Sequence, residues 1–100
     1  MLTSNEFITN CKNLVATYTD KHTDVTDHVE SLAVEDVYVV WYCKTLQNHK
    51  ALLSTTRPDG MYYEVTYNGD KDELYFDAYK KFENMCVKLT TLSAQQGNKE

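Results

Sequence analysis

Few residues of this sequence have the types and spacing that catalysis requires. The three histidines, His22, His28 and His49, all fall in predicted loops. A catalytic site needs a nucleophile, a base and an orienting group held together. The chain contains no Gly-x-Ser-x-Gly turn, no phosphate-cradling loop and no HExxH helix. We therefore predict that the protein is not an enzyme, and keep an uncharacterised enzyme as the third of three function classes.

A metal site would have to come from His22, Asp24, Asp27 and His28, whose imidazole and carboxylate groups are suitable donors. Their spacing matches no known ligand pattern, and acidic loops often contain such residues. The sequence thus predicts no bound metal and no cofactor.

The cysteines, Cys11, Cys43 and Cys86, are odd in number and widely spaced, and no CxxC pair occurs. This pattern supports neither a zinc site nor a redox pair. Each thiol falls on an apolar stripe, so we expect all three to be buried and reduced, as in a cytosolic protein.

The charge is concentrated in one stretch. The net charge is −5, and residues 20–36 alone, with six acids and one Lys, account for −5. An acidic protein is a poor direct ligand for nucleic acid. The stretch is either a solvated loop, the usual meaning of a charge run, or a surface in which Asp24, Asp27 and Glu30 steer a basic partner.

The elements that position these residues begin with a helix over about residues 4–20. Thr3 and Glu6 have the spacing of a capping box. Apolar residues then recur at helical intervals, namely Phe7, Ile8, Cys11, Leu14, Val15 and Tyr18.

Three strands are predicted next, at 37–44, 50–56 and 61–67, because the first run is dense in β-branched and aromatic residues and short turns separate the three runs. A second helix is predicted over about 71–90, with Asp70 as its cap after the Asn68-Gly69 turn. The predicted fold is α+β, in the order α-β-β-β-α. It is a three-stranded antiparallel meander with two helices packed on one face, forming one domain over 1–90 and a polar, frayed tail over 91–100.

Period-two counting assigns the sheet faces. The inner face is predicted to carry Val37, Val39, Trp41, Cys43, Ala51, Leu53, Met61, Tyr63, Val65 and Tyr67. The outward face presents an apolar patch of a kind that marks interfaces, formed by Tyr38, Val40, Tyr42, Leu52 and Tyr62. We predict that Tyr38, Tyr42, Leu52 and Tyr62 bind a partner. The open alternative is that the acidic stretch covers this patch through Val25, Val29, Leu32 and Val34.

No apolar run reaches the roughly 18 residues of a membrane span, and the N-terminus has no secretion segment. The sequence therefore predicts a cytoplasmic protein that does not contact a membrane.

Several segments resemble one known family: Asp36–Trp41, Cys43–Asn48, Asp59–Glu64, and Tyr67–Lys71 with Glu73–Tyr75. This family of small proteins, catalogued as a domain of unknown function, is encoded by phages and prophages of Gram-positive bacteria, and the likeness spans roughly residues 5–90. The resemblance implies a host bacterial cytoplasm and an accessory role in infection. It implies no catalytic residues in this chain.

Together these features predict a phage accessory binding protein that acts by occupying a host component, as a host-takeover or anti-defence inhibitor with an acidic surface. The partner is a host protein or a second copy held on the outer sheet face. The alternative is a protein that binds or sequesters a nucleotide signal, although the chain has few Arg and Lys residues for phosphate.

Overall fold

The structure is a computed structural model that describes residues 2–22 and 32–90. It contains helix α1 (Ser4–Lys21), a 3-10 turn (Val34–Asp36) and strands β1 (Val37–Thr45), β2 (Asn48–Thr55), β3 (Met61–Asn68) and β4 (Glu73–Lys80). The strands form one antiparallel sheet in the order β1-β2-β3-β4, and α1 packs on one face of it. The predicted α+β class is confirmed. The three-stranded meander with two helices is wrong.

Helix α1 begins where the sequence predicts. The Glu6 backbone N–H donates to the Thr3 hydroxyl at 3.1 Å, and the Thr3 backbone N–H donates to the Glu6 carboxylate at 2.9 Å. Two otherwise unpaired amides at the helix start are thereby satisfied. Because hydrogen bonds with Thr3 favour the charged carboxylate, they lower the pKa of Glu6.

The core lies between α1 and the middle of the sheet. Its fully buried members are Phe7, Cys11 and Val15 from the helix, Val37 from β1, and Ala51, Leu53, Tyr63, Val65 and Tyr67 from β2 and β3. The Tyr63 hydroxyl lies 3.4 Å from the Thr19 hydroxyl, and burial raises the pKa of Tyr63. The inner-face predictions for these β2 and β3 residues are therefore confirmed.

The second predicted helix, at 71–90, is wrong, because residues 73–80 form β4. This strand pairs antiparallel with β3, so that Val65 lies opposite Phe76 and Tyr67 opposite Leu74. Its side chains alternate: Leu74, Phe76 and Ala78 face the helix layer, while Tyr75, Asp77 and Tyr79 face away. This alternation and the aromatic residues suit a strand, and they outweigh the helical spacing in the same segment. Residues 81–88 have no regular structure.

The segment predicted to cap that helix is a hairpin turn. The backbone N–H groups of Asp70 and Lys71 donate to the Asn68 side-chain oxygen at 3.1 and 3.3 Å. Asp72 adopts a positive φ of 53° and accepts a hydrogen bond from the Tyr67 hydroxyl at 2.7 Å. That hydrogen bond raises the pKa of Tyr67. Asn68-Gly69-Asp70 therefore reverses the chain between two strands.

Candidate functional site

A bulge in β1 decides which side chains reach the outer face of the sheet, the face away from α1. Val39 lies opposite Leu53, but Trp41 lies opposite Leu52, so Val40 is an extra residue in the strand. A one-residue shift moves every later side chain to the opposite face.

Trp41 and Cys43 consequently lie on the outer face and are exposed, whereas Tyr42 lies on the helix side. The predictions that Trp41 and Cys43 are internal and that Tyr42 is external are therefore wrong.

All four strands contribute large side chains to the outer face. We define the outer aromatic face as Tyr38, Trp41, Leu52, Tyr62, Tyr75 and Tyr79. Leu52 and Tyr62 are half-buried, and the other four are exposed, Trp41 by 42%. Trp41 lies opposite Leu52, and Tyr62 lies opposite Tyr79. Opposed side chains sit about 4.5–5.5 Å apart at Cβ, so Trp41 adjoins Leu52 and Tyr62 adjoins Tyr79.

Three of the predicted binding residues, Tyr38, Leu52 and Tyr62, lie on this face. Sequence reasoning missed Trp41, Tyr75 and Tyr79. The signal for the two tyrosines was the alternation of Tyr75, Asp77 and Tyr79 with apolar neighbours, which fits a strand with one wet face.

Two carboxylates interrupt the outer aromatic face. Glu64 lies directly opposite Asp77, and like charges in this position destabilise a sheet. The Lys50 ammonium lies 3.6 Å from the Glu64 carboxylate and offsets part of the repulsion. Within residues 2–22 and 32–90, Asp77 has no cationic partner. A further positive charge beside Asp77 would therefore reduce the repulsion between the two carboxylates.

The aromatic rings of this face also accept a cation. The Lys81 ammonium lies 5.7 Å from the centre of the Tyr62 ring, within the range of a cation–π interaction. Tyrosine rings beside a carboxylate such as Asp77 are of a type that can hold a Lys or Arg side chain. The outer aromatic face therefore combines apolar area with two carboxylates, of which Glu64 has a cationic partner and Asp77 has none among the described residues.

Tyr42 belongs to a polar cluster at the start of α1. Its hydroxyl lies 2.8 Å from the Ser4 hydroxyl and 2.5 Å from His49 Nδ1. His49 Nε2 lies 3.2 Å from the Leu2 carbonyl oxygen, and the ring stacks on Phe7 with 5.0 Å between centres. His49 is buried within β2, not in a loop as predicted. The contacts of both ring nitrogens and the stacking on Phe7 link the start of α1 to the sheet.

The three thiols differ in environment. Cys11 is buried, as predicted, and burial raises its pKa to about 12. Cys43 and Cys86 are exposed, so the prediction that they are buried is wrong. The bulge places Cys43 on the outer face, and Cys86 follows β4 in the segment without regular structure.

The acidic stretch is described only at its ends. Asp24, Asp27, Glu30 and His28 lie outside the described residues, and so does most of the metal site that was considered. Across the described part of the chain, no group of three His, Cys, Asp or Glu side chains is arranged to hold a metal ion.

The alternative in which this stretch covers the outer face finds no support in its described residues. Leu32 is buried in the core cluster on the helix side, and its backbone N–H donates to the Asp20 carboxylate at 2.9 Å. Val34 is exposed. The other two residues of that hypothesis, Val25 and Val29, lie outside the described residues.

Over residues 2–22 and 32–90, a four-stranded antiparallel sheet with one helix on one face forms a small two-layer α+β arrangement. Residues 8–89 match the model of a family of unknown function, DUF6275, and the chain belongs to that family. No curated protein and no solved structure matches it. Membership in a family of unknown function is thereby confirmed. In the described chain, no helix has the length and apolar character needed to cross a bilayer.

Proposed function

We propose that this protein binds another protein through the outer aromatic face and acts by occupying that partner. The observation that carries the proposal is the group of aromatic side chains that three strands place on one face of the sheet: Tyr38 and Trp41 from β1, the half-buried Tyr62 from β3, and Tyr75 and Tyr79 from β4. Large exposed apolar patches mark interaction sites, and Trp and Tyr dominate the energetics of interfaces.

The negative charge of the outer aromatic face favours a partner that carries positive charge. Glu64 and Asp77 lie side by side among the rings, and the chain as a whole carries −5. A partner that presents Lys or Arg within an apolar patch would complement both features. Basic patches of this kind are common on proteins that handle nucleic acid. In the setting implied by the resemblance, the partner is such a host protein, and the outcome of binding is inhibition during infection.

Affinity capture tests the apolar part of this proposal. The immobilised protein is incubated with a lysate of Gram-positive host cells, beside a face variant carrying Trp41→Ser and Tyr62→Ser. Leu46→Asn is the matched control, since Leu46 is an exposed apolar residue in the β1–β2 turn. The wild type and the control should retain one host protein that the face variant retains at least about tenfold more weakly. Equal retention by all three proteins would contradict the proposal.

A charge variant tests the complementarity. Glu64→Gln with Asp77→Asn removes both carboxylates of the face and preserves their shape. It should weaken binding of the captured protein and reduce the dependence of its affinity on salt concentration. The control pair, Glu35→Gln with Asp70→Asn, removes two exposed acids outside the face and should leave the affinity largely unchanged. An unchanged salt dependence in the face pair would show that charge does not select the partner.

A further inference from the structure

A groove runs between α1 and β4 on the helix side of the sheet. A helix is about 10 Å wide, whereas four strands span about 15 Å, so α1 covers β1 to β3 and leaves β4 poorly covered. Leu74 is exposed and Phe76 half-buried. Two adjoining cavities of about 400 and 250 Å³ lie along this groove and share Leu14 and Thr17 in their walls.

The chain leaves β4 as an exposed apolar segment, residues 82–89, which we name the arm. Phe82 is 96% exposed, Met85 69% and Leu89 77%. Apolar side chains grouped in this way usually have a partner. The arm lies within the residues that match the family model, so it is part of the family's domain and not an appended tail.

At the end of β4 the chain runs away from Leu74 and Phe76, which line its own groove. The Lys81 backbone N–H donates to the Gly60 carbonyl oxygen at 2.8 Å, which continues the β4 alignment by one residue. To return over α1, the chain would have to reverse directly after Lys81. Residues 81–83 include none of the Gly, Pro, Asn, Asp or Ser residues that favour such a reversal, and Asn84 is the first of these types in the segment. The groove of another copy is therefore the one that an arm leaving in this direction fits.

We propose that two copies of this chain exchange arms across a two-fold axis. Each arm places Phe82, Met85 and Leu89 in the groove of the other copy, against its Leu14, Leu74 and Phe76. Burying one large apolar side chain removes roughly 100 Å² from water. Both arms and the grooves they cover would then bury on the order of 1,200 Å² in total, the lower end of the range for specific interfaces. Exchange of identical elements is a common route to symmetric dimers.

Sedimentation gives the first test. The wild type at micromolar concentration should sediment as a dimer. An arm variant, Phe82→Ser with Leu89→Ser, should be monomeric with an unchanged circular dichroism spectrum, because both side chains are exposed within one copy. Leu46→Asn, the exposed control, should remain dimeric. A monomeric wild type, or an arm variant that remains dimeric, would overturn the proposal.

Cross-linking gives the second test and identifies the groove. The arm already contains Cys86, and Thr17→Cys places a thiol in the groove, in a Cys43→Ser background. Mild oxidation should yield a disulfide-linked dimer whose covalent link is cleaved by a reducing agent. The same protein without Thr17→Cys should remain uncross-linked. A disulfide within one chain would show that the arm covers its own groove, and this result would overturn the proposed exchange. The absence of any cross-link between residues 17 and 86 would also overturn it.

Discussion

Trp41 and Tyr42 are neighbours in β1, and their rings lie on opposite sides of the sheet. The bulge at Val40 determines which ring lies on which side. Trp41 lies on the outer aromatic face, 42% exposed. Tyr42 links Ser4 to His49 on the helix side. One ring is therefore available to a partner, and the other stabilises the contact between α1 and the sheet.

The thiols give a residue-scale prediction. In the native protein at mildly alkaline pH, a maleimide or iodoacetamide reagent should modify Cys43 and Cys86 quickly and Cys11 only after denaturation. The thiolate is the reactive form, and a pKa raised to about 12 leaves Cys11 almost entirely protonated until the pH approaches that value. Mass spectrometry of peptides after timed labelling distinguishes the three sites. Rapid native labelling of Cys11 would contradict its placement in the core.

At the scale of elements, the two turns at one end of the sheet pack against each other. The Gly69 backbone N–H donates to the Asn48 side-chain oxygen at 3.0 Å. A Cβ atom on Gly69 would lie 2.2 Å from the Gln47 carbonyl oxygen. Glycine is required at this position because any larger residue would push the β1–β2 and β3–β4 turns apart.

Gly69→Ala should therefore lower the free energy of unfolding by about 1–3 kcal/mol, the usual range for overpacking. Urea denaturation followed by circular dichroism measures the change. Asp70→Ala, an exposed position in the same turn, is the control and should shift stability by no more than about 0.5 kcal/mol. Equal stability of Gly69→Ala and the wild type would show that the two turns are not in contact.

Local signals predict α1 and the first three strands. The capping box of Thr3 and Glu6 marks the helix start, β-branched and aromatic runs mark β1 and β3, and the turns on either side delimit β2. The faces of β1 beyond Val40 do not follow from period-two counting, because a bulge is a single-residue change of register that periodicity does not show. Residues 71–90 fit both periods: Tyr75, Tyr79 and Phe82 recur as on a helix, while residues 73–80 alternate as in a strand. Pairing with β3, a contact distant in sequence, decides between them.

The bulge in β1 and the formation of β4 also decide which part of the candidate site could be predicted from the sequence. Tyr38, Leu52 and Tyr62 lie on strand positions that the register leaves unchanged, so their placement on the outer face follows from the sequence. Trp41 depends on the bulge, and Tyr75 and Tyr79 depend on β4. The arm and its groove depend on β4 as well, since the predicted second helix would have packed the same apolar residues against the sheet.

At the scale of the whole molecule, the two proposed binding surfaces lie on opposite sides of the sheet. The groove beside Leu14 is on the helix side, and the outer aromatic face is on the other. A dimer formed by arm exchange would keep both outer aromatic faces free and could hold two partner molecules. Against a partner that is itself repeated, such a dimer would bind more tightly than either copy alone.

The central claim, that a protein partner occupies the outer aromatic face, is tested most directly by the fluorescence of Trp41. This residue is the only tryptophan of the chain, and the claim places it in the interface with the partner. When the captured host protein, or a tryptophan-free fragment of it, is titrated in, the emission should move to shorter wavelength. Quenching by acrylamide should fall as the ring leaves water. A partner that binds fully while the emission and quenching of Trp41 stay unchanged would show that binding takes place elsewhere on the molecule.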